Sequence, residues 1–124
     1  MKVVLRSSSY LAMLLGSRAK APVPEAPALL RPGRAGNVQI GMPAGGLKVP
    51  RRDLSLETEN GVVIAIRVLS RRFKTETGIG VGDSLIALAN QHAIRWIDDH
   101  IADVDDLKMK FQIAEDRIVA ILIQ

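Results

Sequence analysis

Asp98, Asp99, His100, Asp103, Asp105 and Asp106 crowd one short stretch of the chain. Oxygen and imidazole donors at such spacing could hold a divalent cation, with His100 and Asp99 or Asp103 as the minimal set. The glycine-containing calcium loop is not spelled. On a helix, His100 lies near Ile97 and Ile101 while Asp98, Asp105 and Asp106 point elsewhere. A solvated acidic run is therefore the expected reading, with no metal. His92, alone on an apolar helical face, reads as structural rather than as a ligand or base. Gly78-Ile79-Gly80-Val81-Gly82 hints at a phosphate loop, but no Lys-Ser or Lys-Thr follows it. Turn glycines approaching a sheet account for it better. Neither Ser55 nor Ser84 sits in a nucleophile elbow. Without a paired nucleophile and base, the expectation is no enzymatic activity and no cofactor.

Arg71-Arg72-Phe73-Lys74 is the candidate partner-binding surface. Cations around one aromatic suit an anionic partner, or a stacked base with its phosphate. Lys48, Arg51 and Arg52 would join them if two hairpins adjoin. Whole-chain charge, +4, overstates the nucleic-acid case. Residues 1–36 carry a net of +5, residues 37–82 +3 and residues 83–124 −4. The acidic half would repel a phosphate backbone.

These groups need elements to carry them. At 124 residues with 48% apolar composition, the chain is long enough for one core without staples. Only Tyr10, Phe73, Trp96 and Phe111 are aromatic, so aliphatic side chains must fill that core. The absence of Cys removes disulfides, thiolate nucleophiles and cysteine zinc sites, and leaves the compartment open.

Residues 1–36 read as a leader followed by a Pro/Ala-rich linker. Lys2 and Arg6, the apolar run Tyr10–Leu15 and Ala19-Lys20-Ala21 outline a degenerate export signal. Pro22, just past the cleavage point, counts against processing. No stretch is long enough to span a membrane.

Residues 37–124 read as a single α+β domain. Leu54 and Leu56 alternate with polar neighbours, and Asn60-Gly61 spells a hairpin turn into the apolar run Val62–Leu69. Leu107, Met109, Phe111 and Ile113 alternate with Lys108, Lys110 and Gln112, and Glu115-Asp116 turns the chain back into Ile118–Ile123. The expectation is an antiparallel sheet of two hairpins, with a helix or helix-turn-helix over 84–104 on one face. Asp83 is its expected N-cap.

Two stretches look alike. Gly41 is followed by Leu47, and Gly82 by Leu88, at the same spacing. Each stretch leads to a turn and an apolar run, Val62–Ile66 and Ile118–Ile121. Two unequal repeats, 37–69 and 78–124, are expected. The second unit, GIGVGDSLIAL, LKMKFQI and RIVAILI, resembles the β-lactamase-inhibitor-protein-like fold and the related SmpA/OmlA-type domains of small bacterial envelope lipoproteins. The resemblance covers roughly residues 37–124. In the first unit, Gly45, Gly46 and Pro50 depart from it. It implies a non-catalytic module that contacts another protein, periplasmic or exported. The alternative is a cytoplasmic nucleic-acid-associated protein using residues 71–74.

Overall fold

Asn60 and Gly61 hold φ of 54° and 78°, and Glu115 and Asp116 hold 51° and 63°. Two successive left-handed residues make the tight turn whose twist matches antiparallel strands. The computed structural model describes residues 28–124; the expected leader and most of the expected linker lie outside them. Its elements in chain order are β1 (Ala28–Arg31), β2 (Arg34–Ala35), β3 (Val38–Gln39), β4 (Leu54–Glu59), β5 (Val62–Val68), β6 (Phe73–Lys74), α1 (Leu85–Gln91), β7 (Arg95–Trp96), β8 (Ile101–Val104), β9 (Met109–Ala114) and β10 (Arg117–Ile123).

The larger sheet runs β4-β5-β10-β9-β8-β7, all pairs antiparallel. At its centre Arg67 of β5 faces Leu122 of β10, flanked by Val68 opposite Ile121 and Ile66 opposite Ile123. Each central strand is bulged against its outer one. Glu57 and Thr58 face Ala65 and Val63, so Ile64 is the extra residue; Gln112 and Ile113 face Ala120 and Ile118, so Val119 is. A bulge lets two consecutive side chains face the same way. Hence Ala65 and Ile66, and likewise Ala120 and Ile121, are all buried, while Ile64 and Val119 are exposed.

The core lies on that bulged face. Val63, Ile66, Val68, Phe111, Ile118, Ile121 and Ile123 are nearly or fully buried, with Leu88 of α1 against them. Each such side chain contributes about 1.5–3 kcal/mol on leaving water. A smaller sheet, β3-β2-β1-β6, adds Leu30, Ala35 and Val38 to the same core. Leu30 and Ala35 therefore belong to the domain, although their Pro- and Gly-flanked segment reads as linker. The turn-forming Gly33 and Gly36, both at positive φ, are what fold it back on itself.

The fold is α+β with an antiparallel sheet, but the expected helix over 84–104 is mostly absent. Ser84, not Asp83, is the N-cap, its hydroxyl accepting from the Ala87 N–H at 3.1 Å. The helix ends at His92, whose backbone is extended. Beyond it Asp98 Oδ1 accepts from the N–H groups of His100 and Ile101, at 2.7 and 2.9 Å. An Asp that closes a turn on its own backbone competes with helix. The chain therefore turns at residues 97–101 and runs on as β8. The spacing of Ile94, Ile97 and Ile101 imitates a helical stripe without making one.

One backbone pattern occurs twice. Gly41 N–H donates to Val63 O, Val63 N–H to Met42 O, and Ala44 N–H to Gly61 O. Gly82 N–H donates to Ile118 O, Ile118 N–H to Asp83 O, and Leu85 N–H to Asp116 O. Gly41 and Gly82 sit at φ 94° and 95°, a region that costs other residues about 1–3 kcal/mol. A Cβ at Gly82 would also meet Arg71 Nε at 2.7 Å, whereas at Gly41 and Gly45 it meets nothing. Gly41→Ala and Gly82→Ala are therefore each expected to destabilise by about 1–3 kcal/mol, the Arg71 side chain giving way at Gly82, and Gly45→Ala hardly at all. Urea unfolding midpoints of the three variants check this order.

Candidate functional site: a cation-rimmed cleft

The parallel pairing of β1 with β6 sets Ala28 beside Phe73 and Leu29 beside Lys74. It also brings the β1–β3 ribbon against the segment 48–54. Between them lies an open cleft of about 540 Å³. Leu29, Val49 and Pro50 contribute apolar surface to it above the buried Val38, Leu54 and Phe73, while Arg31, Arg34, Lys48 and Arg72 supply cations. Among the described residues Asp53 is the one carboxylate in its lining.

The cations are held to different degrees. Arg31 pairs with Glu76 at 2.8 Å, both well exposed. Arg34 Nε donates to Gly36 O at 2.9 Å, which ties the guanidinium across the β2–β3 turn. Lys48 and Arg34 have no carboxylate against them among the described residues. Arg72 Nη1 donates to Asp53 Oδ2 at 2.9 Å, with the Asp53 side chain only 5% exposed and that of Arg72 59%. Asp53 is fixed from its backbone too: its N–H donates to Pro50 O and its carbonyl accepts from Leu69 N–H, both at 2.9 Å. The buried carboxylate thus anchors segment 50–53 to the start of β6. The arrangement can hold an anion against an apolar wall.

The four residues expected to bind a partner are not one surface. Arg72 and Phe73 line the cleft with Lys48, while Arg71 lies over Gly82 and Lys74 pairs with Asp83 at 3.3 Å. Phe73 is buried, close against Gly36. Arg51 lines a neighbouring cavity instead. Arg31, Arg34 and Asp53 complete the cleft but escape sequence reasoning. The two arginines fall in what reads as linker, and Asp53 looks like an ordinary polar neighbour of Leu54.

The other chemical candidates are absorbed by the backbone. In the glycine turn, Gly78 N–H donates to Thr75 O, Gly80 N–H to Asp83 Oδ2 and Gly82 N–H to Ile118 O. Those three donors are not turned toward a phosphate. His92 Nε2 lies 3.2 Å from Thr77 Oγ1, and Ser84 caps α1. Of the acidic run, Asp98 closes its turn, Asp103 pairs with Arg95, and Asp105 lies 3.5 Å from Lys108. Among the described residues no three His, Cys, Asp or Glu side chains gather as metal ligands. Comparison with family models, curated proteins and solved structures finds no match to the chain.

Removing one member of a buried charge pair strands the other. The Arg72 side chain is mostly in water and that of Asp53 almost fully buried, so the loss of Arg72 is expected to cost more than the loss of Asp53. Arg72→Met is expected to cost about 2–4 kcal/mol, more than Asp53→Asn. The double variant should recover part of that loss. Denaturant unfolding of the three proteins measures the coupling.

Proposed function

We propose that this chain is a non-catalytic protein-binding module of the bacterial cell envelope, periplasmic or exported, built from two copies of one structural unit. The observation that carries protein binding is the cleft. Among the described residues it pairs apolar wall with four cations and one carboxylate, the chemistry that suits an acidic stretch of another polypeptide. The resemblance of residues 37–124 to SmpA/OmlA-type envelope domains supports the compartment. Among the described residues no helix is long and apolar enough to cross a membrane.

Duplication is supported by the two matching sets of backbone hydrogen bonds and by the matching bulges. Gly41 corresponds to Gly82 and Ala44 to Leu85; Leu54, Val63 and Ile66 correspond to Met109, Ile118 and Ile121. The pairing of β5 with β10 is symmetric under this correspondence, with Arg67 facing its own counterpart Leu122. The nucleic-acid alternative is disfavoured by the burial of Phe73, which leaves residues 71–74 without an aromatic face for a base.

A photo-crosslinking residue at Asn37, on the cleft wall, tests the reading in the full chain expressed in a bacterial host. Protein adducts are expected, falling by about ten-fold or more in Arg34→Glu/Lys48→Glu. Mass spectrometry of the mature N-terminus tests the compartment: a start near Pro22 supports export. Nucleic-acid adducts with steep salt dependence, together with an intact Met1, would establish the cytoplasmic alternative instead.

A further inference from the structure

The two units differ in what covers their outer strands. In the second, β8 lies along β9, with Ile101 opposite Gln112, Ala102 opposite Phe111, Asp103 opposite Lys110 and Val104 opposite Met109. The counterparts of Met109, Lys110, Phe111 and Gln112 in the first unit are Leu54, Ser55, Leu56 and Glu57, aligned by the equivalent bulges. β4 has β5 on one side and, among the described residues, no strand on the other. The burial follows: Phe111 is fully buried, whereas Leu56 is only half-buried. A cavity of about 480 Å³ borders this edge, lined by Leu47, Val49, Arg51, Leu54, Leu56 and Leu69 along with Ser55.

We infer that the open edge of β4 takes up an extended strand of a partner polypeptide, antiparallel, in the place that β8 holds beside β9. The inference rests on the duplication and deepens the protein-binding reading, by a second surface distinct from the cation-rimmed cleft. The donors are set for it. Ile113 N–H donates outward to His100 O at 2.7 Å, and Thr58 is the counterpart of Ile113. By the same register the Thr58 N–H points to the open edge. Leu54 N–H, also on that side, is already taken by Pro50 O at 3.1 Å, so strand addition begins beyond it.

β8 gives the chemistry of the occupant. A small residue sits opposite Leu56, as Ala102 does opposite Phe111. The next residue, at the Asp103 position, is acidic. Among the described residues Arg51 is the one charged residue lining the cavity, and no carboxylate lines it there. Main-chain hydrogen bonds supply affinity in such strand addition, and alternate side chains supply specificity.

A labelled peptide with the sequence of residues 97–107, which contains β8 and its flanks, is the probe, titrated by fluorescence anisotropy against the full-length protein. Saturable binding is expected, with none for a scrambled peptide. Thr58→Pro removes one outward donor from an edge strand, a place that tolerates proline. It should weaken binding at least about ten-fold with an unchanged unfolding midpoint. Should Thr58→Pro lower that midpoint, Arg51→Glu, which reverses the cavity's charge, provides the second test and is expected to weaken binding several-fold. No binding by about 1 mM peptide, or binding indifferent to both substitutions, would overturn the proposal. So would a dimer dissolved by Thr58→Pro, because a second copy would then own the edge. Arg34→Glu/Lys48→Glu should leave peptide binding intact, so strand site and cleft stand or fall separately.

Discussion

Six residues of two central strands hold the larger sheet together: Ile66, Arg67 and Val68 against Ile121, Leu122 and Ile123. On either side of that seam each hairpin pairs with itself through a two-residue turn, a local event that needs little chain closure. The seam joins strands separated by most of the domain, so its cost in loop closure must be met by what it buries. The inward members are Ile66, Val68, Ile121 and Ile123, and all four are fully buried. Arg67 and Leu122 face the other way, and the Arg67 guanidinium reaches across to the Gln112 side chain. A polar outer face and a dry inner one fix the register, since a slip by one residue would turn Ile66 and Ile121 toward water.

The bulges at Ile64 and Val119 make that seam compatible with the rest of the core. A strict alternation through Val62–Val68 could not place Val63, Ala65, Ile66 and Val68 all inward. With the extra residue, Val63 and Ala65 keep one phase and Ile66 and Val68 take the next. The same shift in β10 buries Ile118 and Ala120, then Ile121 and Ile123. The backbone of residues 41–44 docks beside the first bulged strand, through Val63, and that of 82–85 beside the second, through Ile118. Gly41 and Gly82 supply the positive φ that aims each N–H at its acceptor.

Some of this was legible in the residues. Asn60-Gly61 and the alternation at Met109, Phe111 and Ile113 announce strands and turns, because period two and left-handed turn residues are local signals. The apolar run Val62–Leu69 marks a strand between neighbours but hides its bulge, which depends on a partner strand. The helix over 84–104 fails beyond Gln91 because Ile94, Ile97 and Ile101 satisfy a helical spacing that Asp98 overrides from within its turn. Of the cleft, the cationic character near residue 72 was legible, but the burial of Phe73 was not. Its burial arises from β6 pairing with β1, a contact across more than forty residues that no local pattern encodes. The same contact draws in Arg31 and Arg34 from a segment whose Pro and Gly content reads as linker.

In the proposed duplication, the difference between the two stretches follows from the chain between Leu and strand. From Leu88 to Met109 there is room for the end of α1 and for β7 and β8; from Leu47 to Leu54 there is not. Gly45, Gly46 and Pro50 fill the shorter connection with backbone that supports neither helix nor strand. Among the described residues the larger sheet ends at one side in the short β7, laid along β8, and at the other in β4. An edge strand is a hazard unless something guards it. Glu57 and Glu59 guard the far end of β4 with exposed charge, whereas Leu54 and Leu56 at the near end face a cavity bordered by Leu47, Val49 and Leu69. The cation-rimmed cleft also borders Val49, Pro50 and Leu54. Both openings therefore flank one short connection, and its shortness is the physical reason that β4 presents surface where β9 presents core.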